Sequence, residues 1–248
     1  MAPGGPAPAS LVLVRHGESV GNLAAAAAER AGAEVVEIDT RDADTPLSDR
    51  GREQARALGV WLGGLPADER PEVVWCSPYV RTRQTAATVL EAAGLDVPVR
   101  LDERLRDREL GILDTLTGRG IVSRFPQEAE RRRWLGKFYY RPPGGESWVD
   151  VALRVRSLLA TEALRHDGER LVFFTHQAVV MVFRYVLEGL TEPELLDADR
   201  AHQVANTSVT RYRHEAGGFV LEEFNGVEHL AGDRTPEVTE ETDVPSPA

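Results

Sequence analysis

Three short apolar runs constrain this chain most: LVLV at 11–14, EVVWCS at 72–77 and RLVFFT at 170–175. Each is too short for an independent helix and reads as a strand buried in a sheet. Each is followed by a stretch of helical character: 18–32, 78–94 and 177–189. Further helices are expected at 47–65, with Ser48 as N-cap, and at 147–168. In the helix at 78–94, Pro78 suits the first turn and Gly94 the end. VPVRL at 97–101 adds a short strand, and 208–215 with 218–224 reads as a terminal hairpin. Alternating strands and helices predict a three-layer α/β/α fold with a mostly parallel central sheet. Ligands of such sheets bind at the C-terminal ends of the strands.

Composition narrows the setting. The 248 residues are 42% hydrophobic and 28% charged, as expected of a globular chain with a sizeable core. A net charge of −11 argues against wholesale binding to nucleic acid or an anionic membrane. Cys76 is the single cysteine, so neither an intrachain disulfide nor a cysteine metal cluster can form. The N-terminus has no cationic start or apolar core segment of a secretory signal, and no run suits a membrane helix. These features predict a cytoplasmic protein. Residues 1–10 read as a disordered leader, 11–231 as the folded domain and 232–248 as a disordered acidic tail.

The strand ends carry the chemistry. The first strand ends in Arg15-His16-Gly17, the second in Ser77 with Arg81 just beyond, and the third in Thr175-His176. If these strands are parallel neighbours, two histidines and two arginines converge on one rim. Arginine binds phosphate oxygens bidentately and stays charged at any working pH. Three helix N-termini at the same rim would add backbone N–H donors. Gly17 leaves room for a phosphate to approach the backbone.

Six segments then resemble, in order, the motifs of the histidine phosphatase (phosphoglycerate mutase-like) superfamily, branch 1. They are LVLVRHGESVGN, DTPLSDRGREQA (44–55), SPYVRTRQTA (77–86), ERLRDRELG (103–111), PPGGESWVDVALRV (142–155) and FFTHQAVV (173–180). The resemblance spans roughly residues 11–230. It implies that His16 is the nucleophile and forms a phosphohistidine. Arg15, Arg81 and His176 would bind the phosphoryl oxygens, with Asn22, Gly17, Ser19 and Gln177 nearby as substrate-binding residues. A carboxylic acid would protonate the leaving oxygen and later activate water. No metal or other cofactor is implied, because the arginines supply the charge.

The acid has two candidates. Ungapped alignment puts Asp107 where the family usually has Glu, and Glu109 lies two residues on with a longer side chain. Gln177 stands where the family often has Gly. The stretch 115–147, rich in arginine and aromatic residues, is expected to be a lid that selects the substrate beyond its phosphate, or else a solvated basic helix with a packed aromatic face. Residues 31–43 are a second, shorter candidate for the rim. His166, His202, His214 and His229 follow no matched strand and read as surface or packing residues, and Asn206-Thr207-Ser208 matches an unused glycosylation sequon.

The expected activity is hydrolysis of phosphomonoesters, most simply of a phosphorylated small molecule, with no nucleic-acid or membrane partner. A phosphoglycerate mutase and a non-catalytic phosphate-binding protein are the alternatives. GESVG also fits the G-x-S-x-G elbow of serine hydrolases. That elbow normally follows several strands, however, and the reading would leave Arg15 and Arg81 without a role.

Overall fold

The computed structural model describes residues 7–162, 165–216 and 218–230. Six strands form one sheet in the order β3-β2-β4-β1-β5-β6. They are β1 (Ser10–Arg15), β2 (Val73–Cys76), β3 (Val99–Leu101), β4 (Arg170–Thr175), β5 (Val209–Glu215) and β6 (Gly218–Gly226). The pairs β1–β4, β4–β2 and β2–β3 are parallel, and β5 and β6 add an antiparallel edge. The α-helices among the described residues are α1 (Val20–Ala31), α2 (Asp49–Gly64), α3 (Val80–Ala93), α4 (Gly118–Arg124), α5 (Pro126–Tyr139), α6 (Trp148–Thr161), α7 (Gln177–Leu187) and α8 (Glu192–Ala201). This is the α/β architecture expected from the sequence. Among the described residues no helix is long and apolar enough to cross a membrane.

The apolar strands are continuous because both faces of the sheet are covered. Leu11, Leu13, Trp75, Leu171 and Phe173 point into one core, closed by α6, α7 and α8. Val14, Val74, Cys76, Val172 and Phe174 point into the other, against α2 and α3. The period-2 alternation of a strand therefore sorts neighbouring residues between two cores, and each core needs its share apolar.

Several local expectations change. The helix expected over 147–168 ends at Thr161, and Pro78 lies ahead of α3, whose N-cap is Tyr79. Helix α8 carried no expectation. The leader expected through Ser10 is ordered from Ala7 onward. Ala7 is buried, its N–H reaches Asp167 Oδ1 at 3.1 Å and its carbonyl accepts from Gly168 N at 2.8 Å, while Ser10 already belongs to β1. Short side chains let this segment lie against the sheet without filling space. Residues 1–6 and the tail expected at 232–248 lie outside the described residues.

One close approach fixes the loop after β1. The start of α2 lies so near it that a Cβ on Gly51 would stand 2.0 Å from Glu18 O, and one on Gly17 would stand 2.5 Å from Gly51 O. Glu18 N also donates to Gln54 Oε1 at 2.9 Å, and Ser48 Oγ donates to Glu18 Oε1 at 2.6 Å. Gly51→Ala is expected to cost about 1–3 kcal/mol of stability through overpacking. Urea unfolding checks this: the midpoint should fall at constant slope. An unchanged midpoint would mean that α2 can retreat without loss.

Candidate active site

The site follows from strand register. Arg15 of β1 is opposite Thr175 of β4, and Phe174 of β4 is opposite Cys76 of β2. The residues that follow the ends of these three strands are His16, His176 and Ser77. The two imidazole rings meet edge-on with centroids 5.2 Å apart, and His176 Nε2 lies 2.9 Å from Ser77 Oγ. Helices α1, α3 and α7 begin just beyond these strand ends.

His16 is buried, and its Nδ1 lies 2.7 Å from Gly17 O. A carbonyl only accepts, so Nδ1 carries the proton and Nε2 keeps its lone pair. Arg81 Nε–H points at that lone pair, 3.3 Å away. Burial first, then the charges of Arg81, His176 and Arg15, hold the His16 pKa well below its usual value. The ring is thus neutral near pH 7, with Nε2 facing a cationic pocket.

Arg81 is the centre of the charge network. Its Nη2 donates to Asp107 Oδ2 at 2.8 Å and to Asp42 Oδ2 at 3.1 Å. Its Nη1 donates to Asp42 O at 2.6 Å and lies 2.8 Å from Asp42 Oδ1. Burial works to lower the Arg81 pKa, but Asp42 and Asp107 more than offset it, so the net direction is upward. Asp107 Oδ2 also stands 3.1 Å from His176 Nδ1, out of line for a hydrogen bond. Burial lowers the His176 pKa against the pull of Asp107.

The loop bearing Asp107 is tied down from behind. Arg154 donates to Arg104 O at 2.6 Å and to Asp107 O at 3.1 Å, and Glu146 accepts from Arg106, Arg154 and the Glu109 backbone. This gives the GES segment a physical task, namely holding the acid loop against α6.

Sequence reasoning missed a second support. Arg15, buried at the end of β1, donates from Nη1 to Val204 O. The His16 carbonyl accepts from Asn206 Nδ2 at 3.1 Å and from Thr207 N at 3.3 Å. Thr207 adopts a positive φ of 55° to do so. The supposed glycosylation sequon is thus a buried clamp. Its signal was an Asn-Thr-Ser cluster just before the strand Val209–Glu215.

The pocket encloses about 130 Å³ and is lined by Arg15, His16, Ser19, Asn22, Arg81, Asp107, Glu109 and Gln177 among others. Ser19 caps α1 in a capping box with Asn22: Ser19 N and Oγ both reach Asn22 Oδ1, which leaves the amide Nδ2 for the pocket. Gln177 faces the pocket, and its buried Oε1 has no hydrogen-bond partner among the described residues. Gly17 is not in the lining; its N–H goes to Thr85 Oγ1 at 3.1 Å, and it is glycine because α2 comes close, not because a phosphate does. Asp107 is buried against Arg81, whereas Glu109 is exposed on the rim and reaches its own loop at Gly111 N.

Of the stretch 115–147, expected to be either a lid or a basic helix with a packed aromatic face, only Thr115 lines the pocket. Its Leu116, Ile121, Phe125, Ala129 and Tyr140 form a small core with Leu113 and Val35. That core props up the shorter rim segment, which supplies Val36, Ile38, Thr40 and Asp42 to the pocket wall.

His16, Asp107 and His176 offer ligand atoms within 4.8 Å of one another, a spacing that could suit a metal ion. Arg81 already donates to two of them, His16 Nε2 and Asp107 Oδ2, so a second cation there would be repelled.

Comparison with known proteins agrees with this geometry. The family model for the histidine phosphatase superfamily (branch 1) matches residues 11–226. The chain belongs to that superfamily. It is 33% identical over 191 residues to the 2,3-bisphosphoglycerate-dependent phosphoglycerate mutase of Methylobacterium radiotolerans, covering 75% of this chain and 82% of that one. Among solved structures, it resembles a mycobacterial glucosyl-3-phosphoglycerate phosphatase in complex with VO3, at 28% identity and a TM-score of 0.66, over 87% of this chain and 98% of that one. Bacillus stearothermophilus YhfR matches at 27% identity and a TM-score of 0.71, over 90% and 100%. Mutases and phosphatases thus both stand among the relatives of this histidine phosphatase superfamily member.

Burial alone holds the His229 pKa down, to about 4. A histidine whose folded pKa lies below its unfolded value of ~6.5 stabilises fully above that value and loses stability as pH falls through it. Stability should therefore drop from pH 7 to pH 5.5, and the His16 ring carbon resonance should keep its neutral form to lower pH than that of a free histidine. A His16 resonance that titrates near 6.5 would contradict the burial and charge assigned to it.

Proposed function

We propose that the chain is a phosphomonoester hydrolase that works through a phosphohistidine on His16. The observation that favours hydrolysis over mutase chemistry is the pocket wall beyond His16 and Arg81. It presents Asp42, Glu109 and Asp114, and its further cation, Arg108, donates from Nε to Glu146 O. Asp114 is raised in pKa by burial and by its neighbours Asp42 and Glu109, as expected where carboxylates crowd. A phosphoglycerate mutase must hold a carboxylate, and a second phosphate when primed, beyond the reacting phosphoryl. Acidic groups repel both. The presence of His16, Arg15, Arg81 and His176 together argues against a merely phosphate-binding role.

In this reading, Nε2 of His16 attacks phosphorus while Arg15, Arg81, His176 and the Asn22 amide take the phosphoryl oxygens. The P–O bond to the alcohol breaks, and that oxygen takes its proton from Asp107. A dianionic phosphoryl group beside Asp107 raises the carboxyl's proton affinity, which suits it to act as the acid. Gly17 O accepts from Nδ1–H and so stabilises the positive ring of the phosphohistidine. Water then attacks phosphorus, Asp107 takes its proton, and inorganic phosphate leaves His16 neutral again. Glu109, exposed on the rim, acts on the substrate's outer part.

Steady-state kinetics test the assignment. His16→Ala should abolish release of phosphate from p-nitrophenyl phosphate. Asp107→Asn should lower kcat on an alkyl phosphate by about 10²–10⁴-fold, and by less on p-nitrophenyl phosphate, whose leaving group needs no proton. Glu109→Gln should change kcat little. If 3-phosphoglycerate primed with its bisphosphate yields 2-phosphoglycerate faster than phosphate, the mutase reading replaces this one.

A further inference from the structure

A guanidinium has five N–H donors, and in this structure Arg81 makes four hydrogen bonds with them. One reaches His16 Nε2, one Asp107 Oδ2, and two reach Asp42, at its carbonyl and at Oδ2; Asp42 Oδ1 also lies 2.8 Å from Nη1 as an ion pair. A phosphoryl oxygen that approaches the Nη1 and Nη2 edge of Arg81 therefore meets the Asp42 carboxylate, which already lies against both nitrogens. Asp107 and His16 are held in the interior, with the Asp107 side chain 10% exposed. The Asp42 side chain is 46% exposed, on the short turn Asp42–Asp44 of the rim.

We propose that Asp42 is a specificity-determining residue: its carboxylate occupies the arginine of the phosphoryl subsite and must be displaced by the substrate. The inference rests on Arg81 being a phosphoryl ligand, as proposed above. The exchange sets a charge threshold. A monoanion, such as a phosphodiester or a carboxylate, replaces one negative charge by another and gains little. A phosphomonoester dianion brings an extra charge to Arg81 and Arg15 and wins. The same competition helps expel the product, since the carboxylate is tethered a few ångströms from where phosphate must leave.

The test is direct binding of inorganic phosphate and of orthovanadate to the full chain, by calorimetry, for the wild type, Asp42→Asn and Asp44→Asn. Asp44 shares the turn but pairs with Arg41, outside the pocket lining, and serves as the control. Asp42→Asn should bind phosphate and vanadate about 3- to 10-fold more tightly, the scale of a half-exposed ion pair. It should also lower the KM for p-nitrophenyl phosphate in parallel and narrow the preference for monoester over diester ligands. Asp44→Asn should match the wild type. Equal or weaker phosphate binding by Asp42→Asn, with its folding shown intact by circular dichroism, overturns the inference and makes Asp42 a positioning partner of Arg81. If neither wild type nor variant binds either anion, Arg81 is no phosphoryl ligand, and the proposed hydrolase falls together with this inference.

Discussion

Parallel pairing of β1 with β4, with Arg15 opposite Thr175, carries the site because a histidine follows each of those residues. A slip of one residue would turn every side chain of the strand to the other face and separate the two imidazoles. The two cores protect against such a slip. Leu11 and Leu13 fit the core under α6 and α7, while Val14 fits the core under α2 and α3. Register is therefore set by packing along the strand, and the chemistry at its end inherits that precision.

The strand ends gather charges that are costly to bury. Arg15, Arg81, Asp107 and the two histidines are nearly sealed from solvent. Such a cluster persists only because each group has a partner: Val204 O for Arg15, carboxylates for Arg81, Gly17 O for His16, Ser77 for His176. The same partners set the chemistry. They leave His16 neutral with its lone pair toward the pocket, and they hold a carboxylate beside the arginine where a leaving group would need a proton.

The sheet, its parallel order and the convergence of His16, His176, Arg15 and Arg81 were legible in the sequence, because each depends on local pattern: short apolar runs, and what ends them. Other features were not, because they depend on contacts between distant segments. The clamp of Asn206 and Thr207 on the His16 carbonyl joins residues about 190 apart. Length and composition of the segment 115–147 leave a lid and a packed basic helix both open, and only the fold shows its apolar residues packed with Val35 and Leu113 beneath the rim. Asp42 gives no signal in the sequence, where it is one acid in a run of them, and only the fold sets it on Arg81. Asp107 and Glu109 differ by one side-chain length and two positions, and the anchoring of their loop to Glu146 and Arg154 sets Asp107 against Arg81 and leaves Glu109 exposed on the rim.

The central claim is that the neutral Nε2 of His16 takes the phosphoryl group. Rapid acid-free quenching of the enzyme with a radiolabelled phosphomonoester, followed by peptide mapping under alkaline conditions, tests it most directly. The account predicts a base-stable, acid-labile phosphoryl label on the peptide containing His16, formed and lost at rates compatible with turnover. An acid-stable label on Ser19, or full turnover with no covalent label at any time, would contradict it.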